Sequence, residues 1–353
     1  MRVLVVARRV APEADTGRAV AFRRLVRRLS ETHEVQWVVG WTRQRSALPE
    51  GCLGVDLRGQ GRLHSHLSLW RAGRSAVRRF RPDVVLAAGL DVPMLGPPTV
   101  ALVRDLQGTG WGASAQGPDW WRRWRGRSVA AVVVPSHGAA DALVRIGVTR
   151  NRIQVIPDAI EAPEGQVAGP GDREVGRLVH AGRLHPAKGQ HLSVDAVSRL
   201  GVEDKARVTL DVVGRVADPT YATQLRVAGT GQPVAFHEDV PSLAPWLHQA
   251  QALLYPTALN QEWPAVPLQA MAAGTPVIWS DRPTLREAFG GLGLPVEPGD
   301  LGALRVAIRR CLHEPQAVAD LGLAGREFVR ANYSCSRVSS RWAQCLEGIV
   351  RGA

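Results

Sequence analysis

The chain predicts an α/β protein of two Rossmann-like, doubly wound domains, and three features of its 353 residues carry that prediction. Short continuous apolar runs alternate with segments of helical period along nearly the whole length, the pattern of parallel strands covered on both faces. The stretch 161–172 (EAPEGQVAGPGD) is poor in large apolar residues and splits that alternation into two similar halves. A chain this long exceeds one ordinary core, and 45% apolar with 22% charged residues excludes wholesale disorder.

The first half opens on the run 3–7 (VLVVA), a strand buried on both faces. A polar loop, 9–17, leads to a helix over 18–30 with Val20, Leu25, Val26 and Leu29 on its apolar stripe and Arg23, Arg24, Arg27 and Arg28 as its charged positions. Further strands are expected at 35–39, 83–87, 99–103 and 130–134, and helices at 69–80 and 138–146. In the second half, strands are expected at 177–181, 207–213, 252–255 and 275–278. Helices are expected at 189–199, 221–228, 243–249 and 267–273, then at 301–313, 314–330 and 335–350. This gives a first domain over 1–160, a linker over 161–174, a second domain over 175–334 and a final helix over 335–353. Ligands of open α/β sheets sit at the carboxyl ends of the strands, so two such halves predict a ligand in a central cleft between them.

The formal net charge is +12, but lysine occurs only at Lys188 and Lys205, so 42 of the 44 cationic side chains are arginine. Such a bias reads as GC-rich coding, and charge alone predicts no nucleic-acid partner. It also makes a lysine within a motif informative. Cys52, Cys311, Cys335 and Cys345 have neither CxxC nor metal-ligand spacing and read as buried thiols of a reducing compartment. The N-terminus runs directly into the first strand and has no signal-peptide core. The apolar tract 84–103 carries Asp91 and prolines at 93, 97 and 98, which break any spanning helix. The expectation is a cytoplasmic protein without a membrane span.

The stretch 179–189 (VHAGRLHPAKG) places a glycine and Arg183 after a strand, and Lys188-Gly189 before a helix. A helix N-terminus with free amides attracts anions, and adding a forked guanidinium and an ammonium makes a diphosphate site. The bland alternative is a solvated basic loop. The stretch 255–278 reads as strand, loop, helix opening near Pro267 and closing at Gly274, then strand. Polar groups ahead of that helix suit the hydroxyls of a sugar or ribose. Alone it is an ordinary loop–helix–strand unit.

Together, GRLHPAKG and LQAMAAGTPVI resemble the retaining GT-B glycosyltransferases of family GT4, which use sugar-nucleotide donors. The resemblance takes in nearly the whole chain. It includes the opening strand with its Gly17 loop, Ile156-Pro157-Asp158 before the linker, Glu287 where many members carry a glutamate, and a final helix that in the family crosses back to the first domain. It implies a GT-B fold and a donor site drawn from Gly17, Gly182, Arg183, Lys188, Gln261, Glu262, Val266, Pro267, Leu268, Gln269 and Glu287. Arg183 and Lys188 would hold the diphosphate and stabilise its charge as the sugar–phosphate bond breaks.

Two departures stand out. The family's Glu-x7-Glu pair falls on Gln261 and Gln269, with Glu262 one residue off; an amide still binds hydroxyls but carries no charge. The family's histidine after the strand at 99–103 falls on Arg104, beside Asp105. Arg104 is a candidate for charging the leaving phosphate, and Asp105 or Asp91 for orienting an acceptor hydroxyl. A surface pairing of Arg104 with Asp105 is the plain alternative. Retaining enzymes of this fold need no protein nucleophile, because the leaving phosphate oxygen takes the acceptor's proton on the same face of the sugar. No Asp-x-Asp occurs, and no metal or cofactor is expected.

Weaker signals have ordinary readings. The loop 107–112 (QGTGWG) lacks the following helix of a dinucleotide loop and suits the acceptor side. The segment 118–125 (PDWWRRWR) mixes tryptophan with arginine as peripheral membrane helices do, or packs its tryptophans inward. The expected partners are a nucleotide-sugar donor and a small-molecule or glycan acceptor, with no nucleic acid. The rival reading is a catalytically degenerate, partner-dependent sugar-nucleotide-binding protein.

Overall fold

The computed structural model describes residues 1–8, 17–41, 52–59, 61–104, 124, 126–161, 173–258 and 263–352. The chain divides into two compact units, one of Met1–Ala159 with Cys335–Ala353 and the other of Ile160–Ser334.

The first unit runs β1 (Arg2–Ala7), α1 (Gly17–Leu29), β2 (Glu34–Trp41), β3 (Leu53–Asp56), α2 (Arg62–Phe80), β4 (Val84–Ala87), β5 (Thr99–Leu102), β6 (Ala131–Val134), α3 (His137–Arg145) and β7 (Ile153–Val155). Its all-parallel sheet has the order β3-β2-β1-β4-β5-β6-β7. The apolar run of β1 is continuous because each face is covered. Val3, Val5 and Ala7 pack with Phe22, Val26 and Leu29 of α1, while Leu4 and Val6 share the opposite core with Leu69 and Ala76 of α2 and Leu143 of α3. The last helix, α12 (Cys335–Arg351), joins this unit by placing Val338, Trp342 and Leu346, four residues apart, into the α1-side core.

The second unit runs β8 (Glu174–Ala181), α4 (Gln190–Ser198), α5 (Val202–Ala206), β9 (Thr209–Val213), α6 (Pro219–Gly229), β10 (Val234–His237), α7 (Ala244–Gln249), β11 (Ala250–Tyr255), α8 (Ala265–Ala272), β12 (Val277–Ser280), α9 (Pro283–Phe289), β13 (Leu294–Val296), α10 (Leu301–His313) and α11 (Pro315–Tyr333). Its parallel sheet has the order β10-β9-β8-β11-β12-β13. Counted within the unit, that is 3-2-1-4-5-6, which reverses direction between β8 and β11. Helices α4, α6 and α10 cover one face and α7, α8 and α9 the other, while α11 places Val318 in the first core and Val329 and Tyr333 in the second.

Several boundaries differ from the sequence expectation. Helix α2 starts seven residues before the expected 69, because its buried stripe continues through Ser65, a residue too polar to read as core. Strand β12 begins at Val277, two residues late: Thr275 still belongs to the preceding turn, its amide bonding the Ala270 carbonyl. Strands β3, β7, β10 and β13, which the sequence did not reveal, are the edge strands of the two sheets; each has at least one exposed position and lacks the fully buried run of the equally short β4, β5 and β6. Cys311 is buried, but the other three cysteines are half-buried rather than buried, and none forms a disulfide. No helix among the described residues is long and apolar enough to cross a membrane.

Arg173, counted above within the linker, is buried at the start of β8. Its guanidinium donates to the carbonyls of Leu247, His248, Ala250 and Ala273 and to the Thr275 hydroxyl, at 2.7–3.2 Å. One side chain thus satisfies the carbonyls that end α7 and α8 at the amino edge of the sheet. Arg173→Met takes a donor from each of these acceptors, leaving the Leu247 carbonyl its bond from the Thr275 hydroxyl, and is expected to cost about 3 kcal/mol or more in urea unfolding of the chain. A loss below about 1 kcal/mol would show that the guanidinium is dispensable.

Candidate active site

The switch in strand order places the carboxyl ends of β8 and β11 side by side, and both motif-bearing loops leave from there. Strand β8 ends at Ala181. Gly182 follows at φ +152°, a conformation that favours glycine, and a Cβ there would meet nothing within 4 Å. Arg183 and His185 are exposed on either side of Leu184, which is 1% exposed and clamped to the loop after β9. The Leu184 amide bonds the Arg215 carbonyl at 2.9 Å, and its carbonyl accepts from the amides of Ala217 and Asp218 at 3.2 and 3.1 Å. Buried Leu184 therefore holds its two neighbours at the surface.

A short 3-10 turn, Pro186–Lys188, carries the half-buried lysine, and Gly189 turns the chain into α4 at φ +79°. A Cβ on Gly189 would lie 2.1 Å from the Pro256 carbonyl oxygen, so only glycine permits this approach to the end of β11. The junction is fastened by Thr257, whose hydroxyl donates to the Ala187 carbonyl at 2.9 Å, and by the Ala258 amide, which reaches the same carbonyl at 3.1 Å. Arg282, after β12, donates to the Thr257 carbonyl at 3.2 Å.

The helix-terminus anion site expected from the sequence is altered in one respect. The amides of Ala187, Lys188, Gly189 and His191 have partners within the protein: the His185 ring, the carbonyls of His185 and Pro186, and the Tyr221 hydroxyl respectively. Tyr221 lies thirty residues away on α6, and nothing local to the motif announces it. The positive charge of this loop is therefore concentrated in the side chains of Arg183 and Lys188.

Beneath the loop lies His180, fully buried on the α4 face of β8, with its Nδ1 2.8 Å from the Ser193 hydroxyl. Burial, reinforced by the nearby charges of Lys188 and His191, pushes its pKa down to about 3. The ring is neutral at physiological pH and adds no charge to the site.

The other predicted positions fall as follows. Helix α8 starts at Ala265, two residues before the expected Pro267, which still sits in the first turn. Val266 and Gln269 are half-buried; Pro267 is buried, and the Leu268 side chain is in the core at 0% exposure, leaving only its main chain for any ligand. Glu287 is half-buried on α9. Gln261, Glu262 and Asp105 lie outside the described residues, as do the loop 107–112 and all of 118–125 except Trp124, which is exposed. Gly17 is the first residue of α1 rather than part of a loop.

Arg104 departs from expectation. It pairs with Asp158, reached at 2.7 Å from Nε and 2.5 Å from a terminal nitrogen, with both side chains about nine-tenths buried. The guanidinium also sits 5.8 Å from the Phe22 ring centre. Asp158 is the aspartate of the Ile156-Pro157-Asp158 stretch, and fifty-four residues of chain hid the pairing from sequence reading. At the first unit's own switch point, between β1 and β4, Asp91 lies 3.7 Å from Arg8, and burial raises its carboxyl pKa in spite of that arginine. Among the described residues, no cluster of His, Cys, Asp or Glu has the arrangement of a metal site.

Comparison with known proteins agrees with this architecture. Residues 16–162 match the family described as Glycosyltransferase Family 4, and residues 176–314 match Glycosyl transferases group 1. The chain belongs to glycosyltransferase family 4. This glycosyltransferase is 27% identical to a glycogen synthase of Mycobacterium tuberculosis over 317 residues, covering 83% of this chain and 75% of that one. It is 30% identical over 217 residues to a GDP-mannose-dependent phosphatidylinositol monomannoside mannosyltransferase of Mycolicibacterium smegmatis, covering 57% of this chain and 55% of the other. Its fold is GT-B: Anabaena HepE, solved in complex with UDP, superposes with a TM-score of 0.78 at 16% identity over 99% of this chain and all of that one.

The burial of His180 has a pH consequence. Its folded-state pKa lies below the ordinary 6.5, so between about pH 6.5 and 3 the unfolded chain takes up a proton that the folded chain refuses. This contribution is complete above pH 6.5 and is lost as pH falls through that window, by up to about 1.4 kcal/mol per pH unit. Urea unfolding at pH 7 and 4.5 should show a smaller loss on acidification for His180→Gln than for the native chain. Equal losses would place the ring in water.

Proposed function

We propose that this enzyme is a retaining glycosyltransferase that moves a sugar from a nucleotide-diphosphate donor to an acceptor hydroxyl or amine. The observation that carries the reading is the loop after β8, where Arg183 and Lys188 are brought out at the switch point of the second unit's sheet. The Gly189 contact fixes that loop against the end of β11. A cationic loop on a rigid main-chain platform suits the diphosphate of a sugar nucleotide. The solved HepE complex contains UDP, which supports the same class of donor here.

In this reading, Arg183 and Lys188 bind the diphosphate and stabilise the charge that grows on it as the bond to the anomeric carbon breaks. The acceptor oxygen or nitrogen attacks from the face the phosphate leaves, and the departing phosphate oxygen takes its proton. The two side chains supply the charge the leaving group needs, so the reading assigns no metal. Helix α8, starting after β11, is the candidate holder of the nucleoside through Gln269 and the main chain around Val266–Leu268. The acceptor is assigned to the first unit, with a small natural product or a cell-envelope sugar as its proposed class. Four cysteines without a disulfide support a reducing, cytoplasmic setting.

Lys188→Ala and Arg183→Ala should each weaken binding of UDP, GDP, ADP, TDP or CDP, whichever the native chain binds, by roughly tenfold or more in calorimetric titration, with unfolding unchanged within about 1 kcal/mol. Turnover of the corresponding sugar nucleotide should fall in parallel. Undiminished binding in both variants would remove the diphosphate assignment. Binding without transfer or slow donor hydrolysis by the native chain would favour a non-catalytic sugar-nucleotide-binding protein.

A further inference from the structure

Beneath the loop after β8 lies a closed circuit of polar groups that the donor reading does not use. Gln190, the first residue of α4, is fully buried, yet its side-chain amide donates to the Arg183 carbonyl at 2.9 Å. Its own amide oxygen faces the Tyr221 hydroxyl at 3.4 Å. Tyr221 is 6% exposed, and its oxygen also accepts from the His191 amide at 3.0 Å and lies 2.9 Å from the His191 ring nitrogen Nδ1. The amide of Tyr221 in turn bonds the Asp218 carboxylate at 3.0 Å, and the Asp218 amide bonds the Leu184 carbonyl at 3.1 Å. Two successive carbonyls, those of Arg183 and Leu184, are thus drawn inward from two different elements while the Arg183 side chain stays exposed.

A buried glutamine is costly unless its amide is satisfied, and it is satisfied here by the main chain of the residue proposed to grip the diphosphate. A flexible arginine on an unanchored loop would lose conformational freedom on each binding event; an anchored main chain has lost much of that freedom already. Methionine would fill the same volume as Gln190 but donate nothing.

Resting on the donor reading above, we propose that Gln190, steadied by Tyr221, is a positioning residue for the diphosphate, acting through Arg183. Lys188 is anchored separately, by the 3-10 turn and the Gly189–Pro256 approach. The circuit therefore acts on one of the two cations and not on the other.

That asymmetry gives the test. Affinities for UDP, GDP, ADP, TDP and CDP are measured by calorimetry, following the nucleotide bound by the native chain, for Gln190→Met alone, with Arg183→Ala and with Lys188→Ala. Gln190→Met is expected to weaken binding about tenfold in the native and Lys188→Ala backgrounds and to have no further effect on Arg183→Ala. Tyr221→Phe should show the same background dependence with a smaller loss, and it carries the test if Gln190→Met does not fold. A Gln190→Met loss that persists in Arg183→Ala would mean general damage to the loop and would overturn the positioning role. No loss in the native background, while Lys188→Ala still weakens binding, would overturn it and leave the donor reading standing. No binding of any of the five nucleotides by the native chain would overturn both.

Discussion

The second unit depends on one contact between main-chain segments, Gly189 against the carbonyl of Pro256. Two strands adjacent in the sheet, β8 and β11, are far apart in sequence, and their following loops have no covalent reason to meet. Removing the Cβ at Gly189 lets them touch, and Thr257 and Ala258 then bond the Ala187 carbonyl across the seam. The loop that carries Lys188 is thereby referenced to the loop that leads into α8. The elements read as phosphate-binding and as nucleoside-binding share one rigid base.

Around that seam, charge is distributed unevenly and for identifiable reasons. In the first unit, the arginines at the strand ends are matched: Arg8 with Asp91, and Arg104 with Asp158. In the second, Arg177 within β8 is matched by Asp211, and His180 has been stripped of charge by burial. The loop amides that would add helix-terminal potential are largely taken up internally, four of them between Ala187 and His191. The anion-attracting character of the site therefore comes chiefly from two side chains. In a chain with only two lysines, one stands here.

The doubly wound architecture was legible in the sequence because each central strand of a parallel sheet buries both faces and leaves an unbroken apolar run, as at 3–7 and 252–255. The GRLHPAKG loop was legible because strand, glycine, cation and helix follow one another without interruption. What sequence reading missed depended on distance along the chain or on residues too short or too polar to register. Arg104 reads as a candidate for the leaving phosphate or as a surface partner of Asp105, and only the fold brings Asp158, fifty-four residues on, against it. Arg173 sits at the end of a stretch of linker composition, yet serves as a buried donor to carbonyls more than seventy residues away. Tyr221 and Gln190 belong to two helices expected separately, and only the fold joins them under Arg183.

The diphosphate reading turns on the loop after β8 as the place where the donor is held. The most direct measurement is a crystal structure of the chain with the nucleoside diphosphate it binds. Phosphate oxygens are expected within hydrogen-bonding distance of the Arg183 guanidinium and the Lys188 ammonium, with the Gln190 bond to the Arg183 carbonyl intact. A nucleotide seated elsewhere, with its phosphates away from both side chains, would contradict the diphosphate reading.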